Sequence, residues 1–223
     1  MPNEWTVPEL WPDNTAYIIG GGSSLNTTGL LPTKENASAI IAKMNEDLVG
    51  LKDHRVIGVN DAYLLGSWVD VCWFGDVRWY EWNREKLLEF KGLKTCCCPT
   101  LAAPERPGIK VLKRSLQLGL TEDKQTVKWN KSSGTSALNL AVHFGVKKIV
   151  LLGFDMYIGK DGYHNWHDNH LVSGHSPANP YTRFMQPFVN IAVDAKRLGV
   201  EIINCNLESD ITQFKKKALE EVV

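Results

Sequence analysis

The chain has no excess of charge of either sign: 25 lysine and arginine residues stand against 25 aspartate and glutamate, and the isoelectric point is near 7.0. A field this balanced neither gathers nucleic acid nor repels it, so no nucleic-acid partner is expected and any anionic ligand must be held by local groups. Long apolar runs are missing too. None approaches the roughly 20 residues that a membrane helix needs, so no transmembrane segment is expected. Residues 1–17, MPNEWTVPELWPDNTAY, are acidic and broken by proline, unlike the cationic-then-apolar order of a secretory signal, and a cytoplasmic chain is the expectation. Metal and nucleotide signatures are equally scarce. The chain has no Cys-x-x-Cys, no His-Glu-x-x-His, no Gly-Lys-Ser/Thr phosphate loop and no Gly-x-Gly-x-x-Gly. Thiolate zinc, zinc-protease, P-loop ATPase and dinucleotide-binding readings all lose weight on that ground.

What cysteine there is, Cys72, Cys96, Cys97, Cys98 and Cys205, sits in apolar, strand-like contexts, and the contiguous triplet must alternate between faces. Buried free thiols in a reducing compartment follow. The Asn-x-Ser/Thr triplets at Asn26, Asn36 and Asn130 have no secretion route to give them meaning.

Hydrophobic residues at 43% and charged residues at 22% suit a soluble globular protein. The length of 223 residues suits one domain with a modest insertion. Short apolar runs, all but one ending in Gly, Asn or Asp, recur at 16–22, 55–61, 69–76, 93–99, 147–155 and 200–206. Helix-length amphipathic stretches separate them at 35–49, 77–90, 133–144 and 181–198. This alternation predicts an α/β fold: one Rossmann-like nucleotide-binding domain over 1–223, with a mostly parallel sheet flanked by helices. Residues 156–180, rich in Gly, Asn, His and Pro and without periodicity, form a lid-like insertion after the strand ending at Asp155. In such sheets ligands lie beyond the carboxyl ends of the strands, which here are Gly20–Ser24, Asn60–Asp61, Gly75–Asp76 and Asp155.

Several stretches could carry chemistry. IIGGGSSL follows the first strand, and its three glycines let backbone N–H groups approach an anion; the alternative is a plain glycine turn. NKSSGTSAL puts Ser132, Ser133 and Gly134 at a helix N-terminus, which attracts anions through its unpaired amides, or where serine simply caps the helix. HNWHDNHLVSGH gathers His164, His167, His170 and His175. The first three read as exposed and solvated, with a metal site as the alternative. His175 differs, because a glycine and a proline flank it closely and an imidazole that titrates near neutrality can take a hydroxyl proton. Asp76 and Asp155 could hold magnesium or cap loops and helices. Tyr157 and Tyr163 are either catalytic or aromatics that close a loop, and the tryptophans of WVDVCWFGDVRWYEWN read as packing.

The order IIGGGSSL, VIGVND, SSGTSALNLAVHFGVKKIVLLGFDMY, SGHS resembles the bacterial sialyltransferases that use CMP-activated sialic acid, glycosyltransferase family 42. It also resembles the wider sialyltransferase-like group that includes archaeal hydroxymethylpterin pyrophosphokinases. The resemblance spans residues 16–206 and is strongest over Ser132–Tyr157. It implies that Gly20, Gly21, Gly22, Ser24, Asn60, Ser132, Ser133, Gly134 and Asp155 surround the nucleotide. It further implies that Tyr157 and Tyr163 steady the leaving phosphate and that His175 is the base. The family works without metal, so neither a cofactor nor a bound metal is expected. Where the family's first loop reads Gly-Asn-Gly-Pro-Ser, this chain has Gly21 and Ser23, losing a side-chain contact and some rigidity. Val172 stands where the family places a further tyrosine.

The expected activity is transfer of a sugar from a CMP-type donor to a hydroxyl of a small-molecule or glycan acceptor. The alternatives are a pyrophosphokinase of the hydroxymethylpterin type, with Mg²⁺ near Asp76 or Asp155, and a nucleotide-binding protein without chemistry. Homo-oligomerisation is left open by the sequence.

Overall fold

In the computed structural model of the chain, residues 5–99, 108–159, 162–167 and 179–223 are described. The first strand, β1 (Thr15–Ile19), forms because Ala16, Tyr17, Ile18 and Ile19 can all be buried, two on each face. Ala16 and Ile18 join a core layer with Trp73, Phe144 and Phe188, while Tyr17 and Ile19 join the opposite layer with Met44, Phe74 and Trp79. The same logic of apolar side chains on both faces builds β2 (Arg55–Val59), β3 (Val71–Phe74), β4 (Leu93–Cys96), β8 (Lys148–Leu152) and β9 (Glu201–Asn204). Three short strands, β5 (Ile109–Val111), β6 (Lys113–Ser115) and β7 (Thr126–Lys128), together with β10 (Lys215–Lys216), were not expected from the pattern.

Eight strands join in the order β10-β9-β8-β1-β2-β3-β4-β5, with every pairing parallel, and β6 and β7 form a separate parallel pair. From β1 the chain steps outward to β5; it then returns through β6, β7 and a helix to lay β8 on the other side of β1, Thr15 beside Lys148 and Ile19 beside Leu152. That reversal opens a crevice at the carboxyl ends of β1 and β8.

Helices α1 (Ala37–Asp47), α2 (Val77–Glu89) and α3 (Ser133–His143) fall within the expected ranges. The single helix expected over 181–198 is two, α4 (Tyr181–Met185) and α5 (Pro187–Leu198). Pro187 is the cause: it lacks an N–H and fits the first turn of a helix, so a new helix starts there. Among the described residues no helix is long and apolar enough to cross a membrane. All five thiols are free, and burial raises those of Cys97 to about 12 and Cys205 to about 11, so neither is a thiolate near neutrality.

The short β6–β7 unit is tied to α3 by buried polar groups. Asn139 Oδ1 accepts from the amides of Thr121 and Lys128, both at 3.1 Å, and His143 Nε2 donates to the Thr126 carbonyl at 2.8 Å. Burial lowers the His143 pKa from its ordinary 6.5. A depressed folded-state value means the unfolded chain takes the proton first. Stability is therefore complete above about pH 6.5 and is lost as the pH falls through the folded value. Urea unfolding at pH 7.5 and pH 5 measures this, and His143→Gln flattens the difference.

Candidate functional site

A cleft of about 280 Å³ opens where β1, β2 and β8 end, lined by the loops after those strands, the start of α3, residues 164–167 and α4. Gly20, Gly21, Gly22, Asn60, Ser132, Ser133, Gly134 and Asp155, all expected around a nucleotide, line this one space. Ser24 stands just behind it, bonded to Asp155.

The glycine loop is held by the protein's own groups. The amides of Gly20 and Gly22 donate to the carbonyls of Leu152 and Gly153, at 2.8 and 2.9 Å, and that of Ser24 donates to Asp155 Oδ2 at 2.9 Å. The Gly20 and Gly22 N–H groups, expected to face an anion, are thus turned toward the end of β8. A Cβ on Gly20 would stand 2.8 Å from the Gly153 carbonyl oxygen, and one on Gly22 would stand 2.5 Å from the Asp155 carboxylate. Close backbone packing at this end of the sheet requires glycine there. The Asp155 carboxylate is buried and also accepts from Ser24 Oγ at 2.5 Å and Asn206 Nδ2 at 2.8 Å. It is a clamp on the loop.

Asn60, at the end of β2, takes a left-handed conformation, with φ of 52°. Its Oδ1 is buried and has no hydrogen-bond partner among the described residues. Buried polar atoms of this kind are rare in native proteins and call for an explanation, which a bound ligand's N–H or O–H would supply. Across the cleft, Asn130 and Lys131 are both left-handed, with φ of 53° and 69°, and turn the chain into α3. Asn130 fixes this turn by accepting from the Gly119 amide and donating to its carbonyl, both at 2.8 Å. Ser132 caps the helix, its Oγ accepting from the Thr135 amide at 3.2 Å. Trp73 Nε1 donates to the Ser133 carbonyl at 3.0 Å and so braces the first turn from below.

His164 and His167, expected to be exposed, are not. Residues 162–167 dock on the glycine loop: Gly22 pairs with Asn165, the Trp166 amide donates to the Gly21 carbonyl at 3.0 Å, and Trp166 Nε1 donates to that of Gly20 at 3.1 Å. The His164 ring stacks on Tyr181 at 5.5 Å, and the His167 side chain is 8% exposed. His170 and His175 lie outside the described residues, as does Val172.

Neither Tyr157 nor Tyr163 is among the residues lining the cleft. The Tyr157 hydroxyl accepts from Asn206 Nδ2 at 3.2 Å, and the carbonyl of Tyr163 accepts from the Gly159 amide at 2.9 Å. The tyrosine that does line the cleft is Tyr181, whose hydroxyl donates to the His164 carbonyl at 3.3 Å; burial raises its pKa, which keeps it protonated. Among the described residues Lys131 and Arg183 also line the space. No sequence pattern marked them, since isolated basic residues on a helix and a turn look like ordinary surface. Asp76 lines the cleft as the N-cap of α2, accepting from the Arg78 amide at 2.9 Å. Among the described residues no three His, Cys, Asp or Glu groups come together as a metal site.

No family model and no curated relative matches the chain in sequence. Solved structures do match in fold. The sialyltransferase CstII from Campylobacter jejuni, in complex with the substrate analogue cytidine-5'-monophosphate, aligns over 93% of this chain and 86% of its own, with a TM-score of 0.52 at 13% identity. The monofunctional alpha-2,3-sialyltransferase Cst-I of the same organism aligns over 91% and 79%, with a TM-score of 0.51 at 14% identity. The MAf glycosyltransferase from Magnetospirillum magneticum AMB-1 aligns over 95% of this chain but 34% of its own, with a TM-score of 0.54 at 12% identity. At such identities the likeness is one of fold.

Proposed function

We propose that the protein is a sialyltransferase-like glycosyltransferase that takes a sugar from a CMP-type nucleotide donor without a metal. The observation that carries this reading is the buried, unpartnered Oδ1 of Asn60 in a cleft that also receives the first turn of α3. Asn60 then meets the base or ribose, and the phosphate lies toward Ser133 and Gly134, where helix amides favour negative charge. Lys131 and Arg183 offset the charge of the departing nucleotide, the part that the resemblance gives to Tyr157 and Tyr163. His175 is the proposed base. Its imidazole takes the proton of the acceptor hydroxyl as that oxygen bonds to the anomeric carbon. The bond from that carbon to the phosphate oxygen breaks, and the nucleoside monophosphate leaves with the electron pair.

A magnesium-dependent pyrophosphokinase ranks second because both candidate carboxylates already serve the protein, Asp155 as the clamp on Ser24 and Asp76 as the cap of α2. Calorimetric titration separates the readings. Binding of CMP in the presence of a chelator, with release of CMP from a CMP-sugar, is the expected result. Binding of ATP with Mg²⁺ and not of CMP overturns it in favour of the pyrophosphokinase, and binding without turnover leaves a nucleotide-binding protein. Asn60→Gly sharpens the test. It removes the orphaned oxygen and suits the left-handed backbone, so stability holds or rises, while CMP affinity falls about tenfold for the lost hydrogen bond.

A further inference from the structure

We propose that His167, paired with the buried carboxylate of Asp61, is the group by which the cleft recognises the phosphate of its ligand, an inference that rests on the nucleotide reading above. Asp61 lies in the 3-10 helix Asn60–Leu65, directly after β2, and is fully buried. His167 Nε2 is 3.7 Å from its Oδ2, and Trp79 Nε1 donates to the same oxygen at 3.1 Å. A carboxylate taken out of water needs donors and positive charge at hand, and an imidazole is a side chain whose charge such a neighbour can sustain.

The arrangement has a direction. His167 lines the cleft and Asp61 does not, so the imidazole end of the pair faces the ligand space and the carboxylate end lies behind it. The ring stands beside the glycine loop, its Nε2 3.4 Å from the position a Cβ on Gly21 would take, and Trp166 packs edge-on against it at 4.8 Å between centroids. Lys131 and Arg183 are exposed, and water screens them. An imidazole N–H at 8% side-chain exposure meets less competing water and binds an anion through a lower local dielectric. Among the described residues the carboxylates lining the cleft are Asp76, which pairs with Arg78, and Asp155, whose oxygens accept from Ser24 and Asn206. A nucleoside offers no anion to such a donor, whereas a nucleotide offers its phosphate. His167 is therefore a specificity-determining residue.

The test compares CMP, cytidine and inorganic pyrophosphate by calorimetry on the full chain, as wild type, His167→Gln and Asp61→Asn. His167→Gln is expected to weaken CMP and pyrophosphate roughly 10–100-fold, the range of a charge-assisted hydrogen bond, and cytidine by no more than about twofold. Asp61→Asn, which keeps the shape and removes the charge, moves the same way. Should either variant fail to fold by circular dichroism, the assigned imidazole resonances of wild-type His167 serve instead, shifting with CMP and pyrophosphate and standing still with cytidine. An equal loss for CMP and cytidine, or resonances indifferent to the phosphate, overturns the proposal and leaves the nucleotide reading intact. His167-dependent pyrophosphate binding without CMP binding does the reverse. No anion binding at all overturns both.

Discussion

Asp155→Ala is expected to lower the melting temperature by about 6–12 °C and to weaken ligand binding with it. The carboxylate is 1% exposed and accepts from Ser24 N, Ser24 Oγ and Asn206 Nδ2. Removing it breaks three part-buried hydrogen bonds, a loss of about 3 kcal/mol at roughly 1 kcal/mol each. For a chain of this size that corresponds to roughly 2–4 °C per kcal/mol. Asp155→Asn gives a smaller drop, because one oxygen remains to accept while an amide N–H₂ is brought against other donors. Thermal melts of the three proteins measure the series. A fall under 2 °C for the alanine variant would mean that the loop is held by its bonds to β8 alone.

The largest effect on turnover is expected at His175. Replacing it by alanine removes the proposed base and slows transfer by about 10²–10⁴-fold. Nucleotide affinity stays within about twofold, since the contacts assigned to the nucleotide belong to Asn60, the start of α3, Lys131, Arg183 and His167, none of which the substitution touches. Initial rates of CMP release, set beside a CMP titration of the same variant, separate the two quantities. Wild-type rates in the variant would move the base elsewhere.

How much of this was legible in the sequence depended on whether the signal was local. The strand RVIGV could be read because its run is apolar, and α3 because serine precedes a helix-length stretch whose buried residues include Leu138, Leu140 and Ala141. By contrast β5, β6 and β7 read IKV, KRS and TVK, three residues each with a charge in every one, and no period can declare itself in so short a span. The cleft was foreseen in outline, since the strand ends that line it are fixed by the order of strands and helices. The inward docking of His164 and His167 was not foreseeable. It follows from Trp166 reaching carbonyls of Gly20 and Gly21 almost 150 residues earlier, a distance seen in the 146-residue separation of Trp166 and Gly20. Lys131 was hidden for a related reason: its place in the cleft is set by two successive left-handed residues and by the bond from Asn130 to Gly119.

The neighbours of β1 have a consequence for how the molecule is made. β2 begins at Arg55, but the other flank of β1 is β8, whose pairing residues are Lys148–Leu152. As the chain leaves the ribosome, β1 stays half-partnered until residues 148–152 have been synthesised, with one apolar edge open to unwanted pairing. The acceptors that hold Gly20 and Gly22, the carbonyls of Leu152 and Gly153, emerge at that same late moment. A nascent chain stalled before residue 148 is thus both prone to aggregate and unable to shape its loop, and the cleft is completed only after β8 has emerged.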